Sequence, residues 1–290
     1  MTSLEKLDRL MKREGIIVAP GCYDALTAKL IEKSGFEALY MTGAGVSMST
    51  LGIPDVGLTT LSEMLTRVSQ ISQAVSIPLI ADGDTGYGNP LNVYRTVREY
   101  ERAGAAAIHI EDQVMPKKCG HELGRKLVPV EEMKQKIQAA LDARKSSQFR
   151  IIARTDARTE YGLEEALSRA KAYEEAGAEM IFVEAPQTVD EMKEIHRAIN
   201  APTLSNMVEG GKTPLLSAPE LEAIGYKIVI FPNALTRIMT KAAVGLLKEL
   251  KEKGSTRGMM DRMFLHGELF ELFDFPRWME LEKRFLTIKK

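Results

Sequence analysis

Short apolar runs alternate with helix-period segments along almost the whole chain, and that alternation leaves few folds open. Residues 16–19, 39–41, 78–81, 106–110, 150–153, 180–183, 202–205 and 227–231 each read as a buried strand, rich in Ile, Val, Leu and Ala. Between them, 24–33, 60–75, 90–103, 130–144, 163–176, 189–199, 219–224 and 233–253 carry helical spacing. Several end at glycine or begin at a capping residue such as Asp24. A further helix, with Leu4, Leu7, Leu10 and Met11 on one side, opens the chain and stops at Gly15. Near-continuous apolar strands joined by helical crossovers form a parallel sheet covered on both faces. Eight such units predict a closed (β/α)8 TIM-type barrel with an extra N-terminal helix.

After Gly254 the rhythm changes. Residues 256–273 and 276–286 read as extra C-terminal helices bearing Met259, Met260, Met263, Phe264, Leu265, Phe270, Phe275 and Trp278. That is more apolar surface than a free tail shows, so these helices are expected to pack on the barrel or on another subunit. No linker marks a second domain. Residues 1–290 are therefore read as a single barrel domain, with 255–290 its C-terminal helical extension.

Composition excludes several classes of function. A formal net charge of -1 offers no basic footprint for nucleic acid. No apolar run approaches the roughly 20 residues that span a bilayer, and the charged N-terminus is unlike a secretory signal. Two cysteines, Cys22 and Cys119, form neither a disulfide framework nor a metal-type spacing, which suits a reduced, cytoplasmic setting. Cys22 reads as core.

In such a barrel, function belongs at the carboxyl ends of the strands. Those ends carry Tyr40 and Thr42, Asp82 and Asp84, His109 and Glu111, Arg154 and Asp156, Glu184, Asn206, and Arg237 one turn into the last long helix. Asp82 and Asp84, like His109 and Glu111, are two apart and share a side in extended chain. Paired carboxylates suit a hard cation such as Mg²⁺ or Mn²⁺, the alternative being that one of them caps the helix at Pro90. Arg154 calls for an anion: a substrate carboxylate, or else Glu184 or Asp156. Gly43-Ala44-Gly45 offers backbone N–H groups to a small anion or serves merely as a turn. The link 112–127 is long for a strand-to-helix connection and holds Cys119 beside Lys117, Lys118 and His121. Positive neighbours favour a thiol that donates protons or attacks; an inert core thiol is the alternative.

These residues resemble a known family. Lys117-Lys118-Cys119-Gly120-His121, Asp82-Gly83-Asp84-Thr85-Gly86-Tyr87-Gly88 and His109-Ile110-Glu111-Asp112 are similar to the signature and metal-binding segments of the isocitrate lyase and phosphoenolpyruvate mutase superfamily. The likeness runs from about residue 4 to about 285 and is strongest to the short-chain group containing 2-methylisocitrate lyase, 2,3-dimethylmalate lyase and the petal death protein. It implies Mg²⁺ on Asp82 and Asp84, with Asp55, His109 and Glu111 near it. A pyruvate-like product would lie on Thr42, Gly43 and Ala44, with Arg154 on its carboxylate. Cys119, Gly120 and His121 would sit on a closing lid, and Glu184, Asn206 and Arg237 around the rest of the substrate. The family also implies a homotetramer with exchanged C-terminal helices.

Two departures bear on the substrate. Glu122 follows His121 where the strict signature has Leu, Met, Gln or Arg. His266 stands where methylisocitrate lyases carry an arginine against a third carboxylate. The resemblance therefore implies a metal-dependent carbon-carbon lyase acting on a two-carboxylate 2-alkylmalate, with Cys119 as general acid and Tyr40 or a water as base. Phosphonomutase chemistry and oxaloacetate cleavage are the alternatives within the same superfamily.

Overall fold

The computed structural model describes residues 1–120 and 122–286. The chain divides into two compact units, Met1–Thr236 and Arg237–Lys290. The first holds eight parallel strands: β1 (Ile17–Cys22), β2 (Leu39–Met41), β3 (Leu79–Asp82), β4 (Ala107–Glu111), β5 (Arg150–Thr155), β6 (Met180–Val183), β7 (Leu204–Asn206) and β8 (Ile228–Phe231). Their order is β6-β5-β4-β3-β2-β1-β8-β7, and a parallel bridge between Ile181 and Thr203 joins the two ends into a nearly closed ring. This is the (β/α)8 barrel that the alternation predicts.

The helices of this unit are α1 (Ser3–Lys12), α2 (Ala25–Lys33), α3 (Gly43–Leu51), α4 (Leu61–Ala74), α5 (Pro90–Ala103), α6 (Val130–Ala143), α7 (Ala157–Glu175), α8 (Val189–Ala198) and α9 (Ala218–Ile224). Thr2, Asp24, Thr60 and Thr188 cap their helices by accepting a backbone N–H from three residues on, as their place in the sequence requires.

Two apolar layers follow from the two-residue repeat of a strand. Leu39, Met41, Leu79, Ala81, Ile108, Ile110, Ile151, Ala153, Ile181 and Val183 face the helices. Tyr40, Ile80, Ala107, Ile152 and Phe182 belong to a second cluster that fills the barrel. Leu7 and Leu10 of α1 join this inner cluster, so the opening helix packs against the barrel's interior. Asp8 fixes it there through Arg150 at the start of β5, at 2.5 Å.

Three local expectations need correction. β1 does not close at Pro20-Gly21 but runs to Cys22, because Pro20 lies opposite Phe231 of β8 and Gly21 lets the chain graze Pro232. A Cβ on Gly21 would lie 1.9 Å from the Pro232 carbonyl oxygen. Thr42-Gly43-Ala44-Gly45 is not a turn but the start of α3, with Thr42 accepting the Gly45 N–H at 3.3 Å. Its glycines are steric requirements: a Cβ on Gly45 would meet Thr42 Cγ2 at 2.6 Å, and one on Gly43 would meet Asp82 Oδ2 at 2.5 Å. Finally, α7 begins at Ala157, ahead of the expected 163, and breaks at Gly162, whose φ of 87° is left-handed.

The second unit carries most of α10 (Ala234–Lys253), a 3-10 turn (Arg257–Arg262), α11 (His266–Leu272) and α12 (Phe275–Leu286). None of these elements has a buried residue; Phe264, Trp278 and Phe285 are each more than 60 % exposed. No helix among the described residues is long and apolar enough to cross a membrane.

Because Leu7 is 1 % exposed and packs in the barrel interior, Leu7→Ala is expected to cost roughly 2–5 kcal/mol in chemical denaturation. Leu91, 80 % exposed on α5, is the control: Leu91→Ala should stay within about 0.5 kcal/mol. Equal losses would show that α1 is no part of the core.

Candidate active site

The inward parity that places Tyr40, Ile80, Ile152 and Phe182 in the barrel also sets what stands at its mouth. Continuing each strand by two residues, or along its length, brings Thr42, Asp82, His109, Glu111, Arg154 and Glu184 to one end. All six are buried. His109 Nε2 lies 2.8 Å from both the Tyr40 hydroxyl and Asp82 Oδ1. Asp82 Oδ2 accepts the Gly43 N–H at 3.0 Å at the start of α3, where the helix dipole favours a negative group. Thr42 donates its hydroxyl to Asn233 at 3.1 Å.

Asp84 is held by a tight turn. Its φ of 46° is left-handed, its N–H donates to Asp82 Oδ1 at 2.9 Å and its carbonyl accepts the Glu111 N–H at 2.8 Å. Such backbone strain in a non-glycine residue is found where the surroundings over-determine it, commonly at functional sites. Its carboxylate pairs with Lys117 Nζ at 2.7 Å, and the same ammonium reaches Asp55 at 2.7 Å. Across the mouth, Arg154 grips Asp156 with two bonds of 3.0 and 2.9 Å and approaches Glu184 at 3.2 Å and Glu111 at 3.4 Å. Asn206 donates to both oxygens of Glu184, at 3.3 and 3.0 Å.

Burial decides the charge states. It is the largest influence on Asp84, whose pKa rises to about 6 although Lys117 opposes the shift. It drives His109 down to about 4, leaving the imidazole neutral at pH 7. Glu111 is pushed well above the usual carboxyl range by burial, with Asp156 and Asp82 adding to it and Arg154 resisting. Tyr40 also moves up, from burial first and Asp82 second, so its phenol keeps its proton. For Lys117 burial works the other way, but Asp84, Asp55 and Glu111 outweigh it and the ammonium stays charged.

The same cluster has the chemistry of a cation site. One donor atom from each of Asp82, His109 and Glu111 lies within 4.8 Å of the others. His109 Nδ1 is buried with no hydrogen-bond partner among the described residues. Two carboxylates and a neutral imidazole, short of positive charge, fit a divalent cation. Asp84 stands beside Asp82 as expected, with its N–H on Asp82 Oδ1, and its carboxylate also pairs with Lys117.

The 112–127 connection is a flap. Its ends pair, with an antiparallel bridge between Gln113 and Leu127 and the Val114 N–H on the Lys126 carbonyl at 2.7 Å. Lys117 is buried beneath it, and Gln113 exchanges two bonds with the Lys118 backbone, at 2.9 and 3.0 Å. Gly120 is pressed against the site: a Cβ there would lie 2.4 Å from Arg154 Nη2 and 2.6 Å from Glu184 Cγ. Cys119, partly exposed, immediately precedes it, whereas Cys22 is buried at the end of β1. His121 lies outside the described residues. Arg237, exposed on α10, belongs to the second unit.

Sequence reasoning gave Lys117 only as a neighbour of the thiol, yet it neutralises two carboxylates. Gln113 and Arg125 were not singled out at all, and Asp112 only as the end of a metal-binding-like segment. The available signal was charge balance: so many buried acids need buried cations, and 117 and 125 are among the basic positions that flank the thiol at a few residues' distance.

Fold and site together define a (β/α)8 enzyme whose mouth presents an acidic, cation-ready cluster opposite an arginine. The family model described as phosphoenolpyruvate phosphomutase matches residues 7–251. A 2,3-dimethylmalate lyase of Eubacterium barkeri is 52 % identical over 287 residues, 99 % of both chains. Among solved structures, oxaloacetate acetylhydrolase in complex with 3,3-difluorooxalacetate superposes with a TM-score of 0.93 at 36 % identity, over 97 % of this chain and 96 % of that one. Phosphonopyruvate hydrolase in complex with oxalate and Mg²⁺ gives 0.89 at 33 % identity, covering 99 % and 100 %. The chain belongs to the phosphoenolpyruvate mutase/isocitrate lyase superfamily.

Lys117→Met removes the ammonium that opposes burial at Asp84. In cation-free protein the Asp84 pKa is expected to climb above about 6, read by carboxyl-carbon NMR titration. A fall or an unchanged value would show that Lys117 does not set this charge.

Proposed function

We propose that this protein is a metal-dependent carbon-carbon lyase that cleaves a 2-hydroxy dicarboxylic acid of the 2-alkylmalate type, such as 2,3-dimethylmalate, to pyruvate and a second carboxylic acid. The observation that carries this reading is the division of the mouth into two halves under one thiol-bearing flap. Asp82, His109 and Glu111 form the half that fits a cation, and Arg154 with Glu184 and Asn206 forms the half that fits the acid substrate.

Asp82 and Asp84, directly or through water, would hold Mg²⁺ or Mn²⁺, with His109 and Glu111 of the same cluster and Asp55 near it. When bound, the ion supplies Lewis-acid stabilisation of negative charge on the substrate's 2-oxygen. Thr42, Gly43 and Ala44 line the place for the pyruvate moiety, and Arg154 binds its carboxylate. In the reaction the 2-hydroxyl gives up its proton to a water acting as the base, the C2–C3 bond breaks and C2 becomes the ketone of pyruvate. The electron pair stays on C3, next to the second carboxylate. Cys119 then delivers its thiol proton to C3, and the flap excludes the water that would compete. Tyr40 retains its proton at neutral pH, so in this reading it serves as the hydrogen-bond partner of His109 in place of the general base expected of it.

His266 supports a substrate with two carboxylates. An imidazole is a weaker carboxylate partner than the guanidinium that methylisocitrate lyases place there. Arg237 and His121 keep, in the same reading, the substrate-binding roles that the resemblance implies for them. The apolar residues exposed on the second unit, Phe264 and Trp278 among them, support a homotetramer assembled through the C-terminal helices. Two thiols outside any disulfide suit the reducing cytoplasm.

A coupled pyruvate assay over 2,3-dimethylmalate, 2-methylisocitrate, oxaloacetate and phosphonopyruvate tests the reading. Turnover is expected to be fastest on dimethylmalate and to vanish with chelator; activity surviving chelation removes the cation from the mechanism. Cys119→Ser should lower kcat by roughly 10²–10⁴ while changing KM little, as loss of a general acid does. A kcat within twofold of the parent would take the thiol out of the reaction.

A further inference from the structure

Arg125 stands in the returning arm of the flap, and its side chain is wholly shielded from solvent. Among the described residues, one nitrogen does all its hydrogen bonding. Nη1 donates to the Gly120 carbonyl and, at 2.7 Å, to Asp156 Oδ1. That oxygen also accepts Arg154 Nη2, at 2.9 Å, so two guanidinium groups share a single carboxylate atom. Asp156 is itself fixed from behind: its N–H donates to Asp112 Oδ1 at 3.0 Å, and Asp112 is held by Thr155 at 2.8 Å and Tyr173 at 2.7 Å. Asp156 precedes α7 yet does not cap it, because its carboxylate is committed to the two arginines.

A buried guanidinium is costly unless its donors are satisfied. Yet Nε and Nη2 of Arg125 have no hydrogen-bond partner among the described residues. Packing alone would be served as well by an apolar side chain. What an apolar residue could not do is join the flap backbone to the carboxylate that orients Arg154.

We propose that Arg125 is a positioning residue that makes seating of the Cys119–Gly120 segment and orientation of Arg154 one event. The proposal rests on the roles given above to Cys119 and Arg154. With Arg125 on Asp156, part of that carboxylate's charge is already balanced, and its hold on Arg154 is weakened in favour of an incoming carboxylate. Without Arg125, Asp156 turns wholly to Arg154, and Gly120 loses the donor that keeps it against Arg154 and Glu184. A catalytic thiol seated about 1 Å away from its place loses about a hundredfold in rate.

The test compares the full-length parent with Arg125→Met, Arg125→Gln and Arg125→Lys. The first readout is the iodoacetamide alkylation rate of Cys119, resolved by peptide mass spectrometry with buried Cys22 as internal reference; the second is KM and kcat for pyruvate release. Arg125→Met is expected to speed alkylation and to raise KM, each by about tenfold or more, while kcat falls. Because both contacts come from one nitrogen, Arg125→Lys should restore most of the protection and of the KM. An alkylation rate and a KM both within twofold of the parent overturn the proposal. If Arg125→Met does not fold, Arg125→Gln is held to the same limits. If the parent releases no pyruvate, the functional reading fails by itself, and the alkylation series alone then decides the role of Arg125.

Discussion

Everything at the mouth of this barrel depends on burying several carboxylates together. Asp82, Asp84, Glu111, Asp156 and Glu184 are all inaccessible or nearly so, and the buried cations that answer them are Lys117, Arg125 and Arg154. Ionised groups removed from water need partners or give up their charge. Both outcomes are visible. Asp156 keeps its charge because two arginines sit on it, whereas Glu111, with Arg154 at 3.4 Å and the neutral Gln113 amide at 3.0 Å, is driven by burial towards its protonated form. A divalent cation is the natural complement of what remains.

The barrel makes this concentration of charge affordable by geometry. Strand parity that sends Ile80, Ile152 and Phe182 inward in the middle of the barrel sends Asp82, Arg154 and Glu184 inward two residues later. The apolar interior and the charged rim are thus consecutive turns of one repeat. Slippage of any strand by one residue would exchange its helix-facing and barrel-facing side chains and take its site residue with them. Fold and site are specified by the same pattern.

That is why so much was legible in the sequence. The strands showed themselves as β-branched runs, the caps as Thr or Asp before a helical period, and the polar rim as the residue at each strand's end. The paired carboxylates pointed to a cation and the basic link to a reactive thiol, and the resemblance joined them to a substrate. What escaped notice lacked a local signal. The helix Gly43–Leu51 has three small residues at its start and no apolar stripe, and its glycines answer to Asp82, Thr42 and Tyr23, contacts invisible along the chain. Lys117 and Arg125 looked like solvated flap charges, because their partners, Asp55, Asp84 and Asp156, lie 62, 33 and 31 residues away in sequence. Long-range charge pairing leaves no periodicity.

The flap also shows why the thiol is carried on a loop and not on a strand. A strand residue is fixed by its ladder, so a proton donor there would meet the substrate from below with the mouth still open to water. On the flap, the proposed donor would arrive with the cover. Lys117 fastens one arm to the cation-ready half, through Asp84 and Asp55, and Arg125 fastens the other to the arginine half, through Asp156. Cys119 lies between the two fastenings. In the proposed reaction, closure of the flap would exclude water and bring up the proton together, so a carbanion beneath it would meet the thiol before it meets solvent. In that proposed reaction, charge pairing at both arms would control where the proton lands.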